Sequence, residues 1–238
     1  MAEILAKIFD REPDFMIHNL QELNIFGQKV YLTTTHVSLL IVCAILILLA
    51  LLVRCTLKDT TKPGTLQNAA ELVVETLDSM VVGSMGKHAK KYQNYIGTLF
   101  LFLILSNIAG LFGLRPPTAD YGVTFPLGII TFMLIQYNNI KWNKFRAFTD
   151  LFKPIPILFP INLIGELAVP FSISLRLFGN VVSGTVIMAL IYGLLSKFAF
   201  LWPGVLHAYF DLFSGAIQTY VFCMLTMVFI TQKIPEEN

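Results

Sequence analysis

Apolar runs long enough to cross a membrane recur along the chain, divided by short segments where basic residues gather. Residues 36–53 are an almost unbroken series of Leu, Ile, Val and Ala that stops at Arg54 and Lys58. A helix needs roughly 20 residues to cross a hydrocarbon core, so this run predicts a first span. Pro63 and Gly64 then break the chain, and residues 66–85 mix apolar positions with Glu71, Glu75 and Asp78 at helical spacing. That pattern predicts an amphipathic or partly exposed helix. Lys87, Lys90 and Lys91 precede a second span over 95–114, which is stopped by Arg115, Pro116 and Pro117. A third span over 125–140, beginning near Tyr121, runs into Lys141, Lys144, Arg146 and Lys153. Residues 143–154 are expected at the surface, with Trp142 as an interfacial anchor.

The last two runs, 160–195 and 198–233, each extend for about 35 residues. As helix each would measure roughly 50 Å against a core roughly 30 Å thick, so each must break or tilt. A steeply inclined helical hairpin turned near Ser196 and Lys197 satisfies the lengths, with Pro170 able to kink its first arm and Pro203 suited to the first turn of its second. The pattern therefore predicts an all-α integral membrane protein of about five membrane segments, the last two a long, strongly tilted hairpin, plus one amphipathic helix. Residues 1–35 are mixed and polar, lack the features of a secretory signal, and are expected to be retained as an outer amino-terminal segment. Residues 36–238 form one membrane domain with the hairpin at about 155–233.

Composition fixes the solvent: 55% hydrophobic residues, 13% charged, 20 Phe and a mean hydropathy of +0.69 describe apolar stretches that meet lipid. A net charge of +2 gives no reason to expect nucleic acid. By the distribution of Lys and Arg, the clusters at 54–62, 87–91 and 141–153 lie in the cytoplasm, whereas the 115–122 loop and Lys197 lie outside. The amino terminus is then outside and the carboxyl terminus inside, which requires an odd number of crossings. Cys43, Cys55 and Cys223 have neither metal nor disulfide spacing.

Against this apolar background Arg176 stands out, because no acidic residue lies within nine positions of it. A lone cation near the bilayer centre costs roughly 2.5 to 3.5 kcal/mol on insertion scales, so it has a function or a hidden partner. On a helical wheel Asn162, Ser172, Asn180 and Ser183 fall within roughly 40 degrees of Arg176, with Glu166 near the edge of that stripe. In the second arm His207, Asp211, Ser214 and Gln218 recur at helical spacing and make another stripe. Two polar stripes on one hairpin could line water, although hydroxyls such as Ser172, Ser183 and Ser214 also serve to join helices. Arg176, Glu166 and Asp211 point to an ion path or relay. No HExxH, P-loop or GxSxG motif is present, and His207 with Asp211 supplies too few ligands for a metal. An ion conductor or transporter is favoured over an enzyme.

The run SLRLFGN followed by Gly184, and an arm carrying Gln218 before FCMLTMVFI, resemble subunit a of the rotary F-type ATP synthase; Asn107 and the order of hydrophobic segments fit more weakly. The resemblance implies a stator subunit whose inclined hairpin faces a rotating ring of small two-helix proteolipid subunits, beside a peripheral-stalk subunit and coupled to a soluble ATPase sector. No cofactor is implied, and the chain by itself would not act on ATP. Arg176 would take the place of the family's essential arginine, Gln218 its partner position and Asn180 the asparagine of the motif. Asn162 and Glu166 occupy positions where relatives often carry a half-channel carboxylate. Thr185 departs from the pattern, since many relatives carry a carboxylate there, while Asp211 stands where others have histidine or an acid. Protons or sodium ions would pass through two offset half-channels, in a bacterial plasma membrane or an organellar energy-coupling one. The rival reading is a secondary transporter with Arg176 as a midplane anion site, which should show an internal repeat, and none is seen.

Overall fold

The computed structural model describes residues 19–25, 28–57, 64–112, 114–144, 149, 152, 155–194, 205–206 and 208–234. Strands β1 (Asn19–Ile25) and β2 (Gln28–Thr33) pair antiparallel, an element that the mixed polar sequence does not announce. The chain passes directly into α1 (Thr34–Thr56), where the Thr33 amide donates to His36 Nδ1 and closes the first turn. The residues α1 buries, Thr35, Ser38 and Val42, all lie near its start, and Leu40, Ile47, Leu48, Leu51 and Leu52 are exposed. Such a surface suits lipid.

Helix α2 (Thr65–Met85) has the amphipathic character its sequence predicts: Leu77, Val81 and Met85 are buried while Glu71 and Glu75 are exposed. Gly86, at φ +54°, turns the chain through the 3-10 turn Gly86–His88 into α3 (Ala89–Ile108). The second span is therefore displaced from the predicted 95–114. It starts earlier because Lys90 and Lys91 are good helix formers whose stems can lie along apolar surface. It ends earlier because the chain tightens into a 3-10 turn over Ala109–Phe112. Helix α4 (Tyr121–Asn143) is capped by Asp120, which accepts from the Gly122 amide at 2.8 Å, and matches the predicted third span.

Helix α5 (Phe159–Leu194) has 36 residues with Pro170 inside, as the first long arm requires. At 1.5 Å per residue it measures about 54 Å, well beyond the bilayer core. The second arm is a π-helical segment, Ala208–Ser214, continuing into α6 (Gly215–Gln232). The turn expected at Ser196 and Lys197, and Pro203, lie outside the described residues.

Among the described residues, five helical units are long and apolar enough to cross a membrane: Thr34–Thr56, Gln67–Phe112, Tyr121–Asn143, Pro156–Ile191 and Ala208–Gln232. The chain is a multi-pass, almost entirely helical membrane protein. Its centre is α3, whose Tyr92, Ile96, Leu99 and Leu103 recur on one face and share a core with Phe222, Cys223, Met227 and Ile230 of α6 and Ile173 and Leu177 of α5. Lipid is as apolar as these side chains, so close approach and interhelical hydrogen bonds select the arrangement. At Gly128 a Cβ would lie 2.7 Å from the Pro170 carbonyl oxygen, which shows how closely α4 meets α5.

Candidate functional site

Three contacts set α5 and α6 antiparallel. Glu166 pairs with Lys233, Asn180 bonds Ser214, and Gly184 faces Phe210 of the π-helical segment. Arg176 lies between the first two along α5, about 15 Å of helix rise beyond Glu166 and about 6 Å before Asn180. Its side chain is exposed, and among the described residues it has no hydrogen-bond or ion-pair partner. Pro170, Ile173, Ser174 and Leu177 turn inward and bury the other face. The outward face around Arg176 carries Gly165, Ala168, Ser172, Gly179 and Ser183, all exposed. A Cβ added at Gly165 or Gly179 would meet nothing within 4 Å.

Toward the start of α5 the hairpin opens into a cavity of about 820 Å³ between α4, α5 and the end of α6. Its polar lining is Gln136, Asn139, Asn143, Asn162, Glu166, Gln232 and Lys233. Gln136 Nε2 donates to Glu166 Oε2 at 2.6 Å, and Lys233 Nζ donates to the other carboxylate oxygen. Asn143 Nδ2 donates to the Lys233 carbonyl at 2.9 Å and to Asn139 Oδ1 at 3.0 Å. Half-buried Asn162 lies in the same wall.

Beyond Arg176 the described contacts are close. Asn180 Nδ2 donates to Ser214 Oγ at 3.1 Å, and Ser214 Oγ lies 3.3 Å from Asn180 Oδ1. One residue on, a Cβ at Gly215 would come within 2.8 Å of Asn107 Cβ. Asn107 Nδ2 donates to the Gly215 carbonyl at 3.0 Å and to Thr219 Oγ1 at 3.2 Å, and its Oδ1 accepts from Thr118 Oγ1 at 2.8 Å. Asp211 is half-buried against Gly110, whose missing side chain leaves room: a Cβ there would be 3.3 Å from the Asp211 carboxyl carbon.

The polar stripe expected from α-helical spacing of His207, Asp211, Ser214 and Gln218 is thus not one continuous stripe. Residues 208–214 are π-helical, with i to i+5 bonding that widens the turn. Asp211 is aimed at the end of α3 and Ser214 at α5, so the two serve different neighbours. His207 lies outside the described residues. Gln218 is 7% exposed, and its Nε2 has no partner among the described residues; no hydrogen bond joins it to Arg176. An unmet buried amide costs about 1 to 3 kcal/mol, so the group is poised for a partner. Ser183 donates to the Asn180 carbonyl of its own helix at 3.0 Å, and Ser214 does the joining expected of a hydroxyl between helices.

Sequence reading overlooked the α4 wall of the cavity and Lys233. Gln136, Asn139 and Asn143 recur at intervals of three and four, a legible amide stripe on one helix face. Nothing local marked Lys233, because its partner lies on another helix.

Residues 36–231 match the family described as ATP synthase A chain. The chain is 42% identical over 189 residues to "ATP synthase subunit a, sodium ion specific" of Propionigenium modestum, covering 72% of this chain and 64% of that relative's length. It is 32% identical to ATP synthase subunit a of Priestia megaterium, covering 84% and 92% of the two chains. Against ATP synthase subunit a 2 of Syntrophotalea carbinolica the identity is 35%, over 86% of each. With the match running from the start of α1 almost to the end of α6, the chain belongs to the ATP synthase A chain family.

Proposed function

We propose that this chain is the ion-conducting stator subunit of a rotary ATP synthase, in which residues 36–238 act as one membrane domain. Two offset half-channels along the α5–α6 hairpin would deliver protons or sodium ions to carboxylates on a rotating ring of small two-helix subunits. The observation that carries this reading is Arg176: a permanent cation exposed at the middle of a 36-residue apolar helix, on a face where Gly165, Ala168, Ser172, Gly179 and Ser183 are exposed beside it. Lipid is a poor environment for that charge, and small residues permit another helix to approach closely. A ring helix bearing a carboxylate satisfies both conditions.

In this mechanism the open cavity at Glu166 and Asn162 is one half-channel. The region of Asp211, Asn180 and Ser214 belongs to the other, with His207 as its further member and Gln218 and Ser183 near the arginine. Arg176 favours the ionised form of a passing carboxylate and opposes an ion moving directly between the half-channels, so the ring must turn for charge to cross. Each elementary charge yields about 2.3 kcal/mol per 100 mV, so several crossings are needed per ATP. The basic loops support an orientation with the amino terminus outside, residues 1–35 included, and the Glu166 cavity facing the cytoplasm of a bacterial plasma membrane. A peripheral-stalk subunit and the soluble ATPase sector complete the assembly.

Arg176→Ala is expected to abolish ATP-driven ion uptake in reconstituted complexes while insertion and assembly persist. Arg176→Lys should also fail, because an ammonium lacks the planar, multi-donor guanidinium. Near-normal pumping by Arg176→Lys would overturn the assignment. A cysteine pair across Arg176's helix face and a ring helix should cross-link and stop turnover.

A further inference from the structure

The Glu166 cavity contains an arrangement that the role of Arg176 leaves unused. Of the described residues lining it, Glu166 and Lys233 alone carry charge, and they are paired with each other. The two carboxylate oxygens are engaged from opposite walls, Oε2 by the neutral amide of Gln136 on α4 and Oε1 by the Lys233 ammonium at the end of α6. The Lys233 backbone is fixed: its amide donates to the Ile230 carbonyl at 3.2 Å, its own carbonyl accepts from Asn143, and the following Ile234 is buried. The charged groups are less constrained, for the Lys233 and Glu166 side chains remain 28% and 26% exposed. A tethered ammonium on a flexible four-carbon stem therefore occupies the one carboxylate in a cavity otherwise lined by amides and apolar groups.

We infer that Lys233 is a tethered counter-cation that competes with the transported ion for Glu166, and so sets the ion concentration at which this end of the path fills. The inference rests on the ion-conducting reading and the orientation given above, and deepens them. A cation entering the cavity competes for Glu166 with the Lys233 ammonium, whose like charge opposes it and which, with three donors and no acceptor, cannot itself ligate the ion. The displaced ammonium swings into the cavity and returns once the ion has moved on. Lys233 is thus a positioning residue that acts through Glu166. Lys233 lies just beyond residues 36–231, the stretch that matches the family.

The test uses the whole synthase in liposomes with its ATPase sector outward, measuring ATP-driven uptake while external proton and sodium concentrations are varied separately. Lys233→Gln is expected to lower the half-saturating concentration of the transported ion by about threefold to tenfold, between the value of an exposed ion pair and that of a desolvated one. Lys233→Arg, which keeps the charge, should return it close to the starting value. A purely structural role would change the amount of complex or its maximal rate and leave half-saturation in place. An unchanged half-saturation in assembled Lys233→Gln complexes overturns the inference. Should that variant not assemble, Lys233→Cys can be modified after assembly with an ethylammonium or a neutral methyl thiosulfonate; only the charged adduct should restore the high value, and equal values overturn it. Failure of both variants to assemble would make Lys233 a strut and overturn it as well. Arg176→Ala in the same liposomes separates the two readings: an active Arg176→Ala defeats the stator assignment, whereas an inactive one beside unchanged Lys233→Gln defeats only the role of Lys233.

Discussion

The stretches of the α5–α6 hairpin on either side of Arg176 use polar residues in opposite ways. Around Glu166 the amides of α4 and α5 line about 820 Å³ of open space. Around Asn180 and Asn107 the same residue types are drawn into direct contact, and the junction has no room even for a methyl group at Gly215. Amides in a membrane helix therefore do not declare by themselves whether they line water or fasten helices. Their neighbours decide: the missing side chain at Gly215 lets α6 close onto α3, while Gln136 of α4 bonds Glu166 at the wall of a cavity that stays open.

Cysteine substitution tests this contrast most directly. Cysteines at Gln136 and Asn162 are expected to react with water-soluble thiol reagents in native membranes, and cysteines at Asn107 and Thr219 to stay unmodified. Equal reactivity in both stretches would erase the distinction. Next in size is Gly215→Val, where overpacking against Asn107 should cost about 1 to 3 kcal/mol or more, read as a lower unfolding temperature of the detergent-purified chain. Its counterpart Gly165→Val should leave that temperature in place, since its side chain enters open space.

Asn107→Leu removes a donor to Gly215 and Thr219 and strands the Thr118 hydroxyl, and should cost about 1 to 3 kcal/mol by the same thermal measurement. The smallest effect is expected from Asn180→Ala, which breaks the pair with Ser214 for about 0.6 kcal/mol and at most about 1.7. A larger loss from Asn180→Ala than from Asn107→Leu would mean that the hairpin, and not the α3–α6 junction, closes this stretch.

Much of this molecule is written in single stretches of sequence. Apolar run length gave the span of α1, α4 and α5 to within a few residues, because burial in lipid is set by each helix alone and every backbone group must be satisfied within it. Glu71, Glu75 and Asp78 likewise marked α2 as partly exposed. Arg176 was legible for the same reason, as a charge whose cost depends on the bilayer more than on any neighbour. Relations between helices were not legible. The π-helical turn at 208–214, the room beside Gly110 for Asp211, the Asn107 junction and the reach of Lys233 to Glu166 each depend on a partner far away in the chain. Apolar contacts alone cannot choose among packings in a solvent as oily as the core, so close approaches and interhelical hydrogen bonds made that choice, and only the assembled bundle brings those groups together.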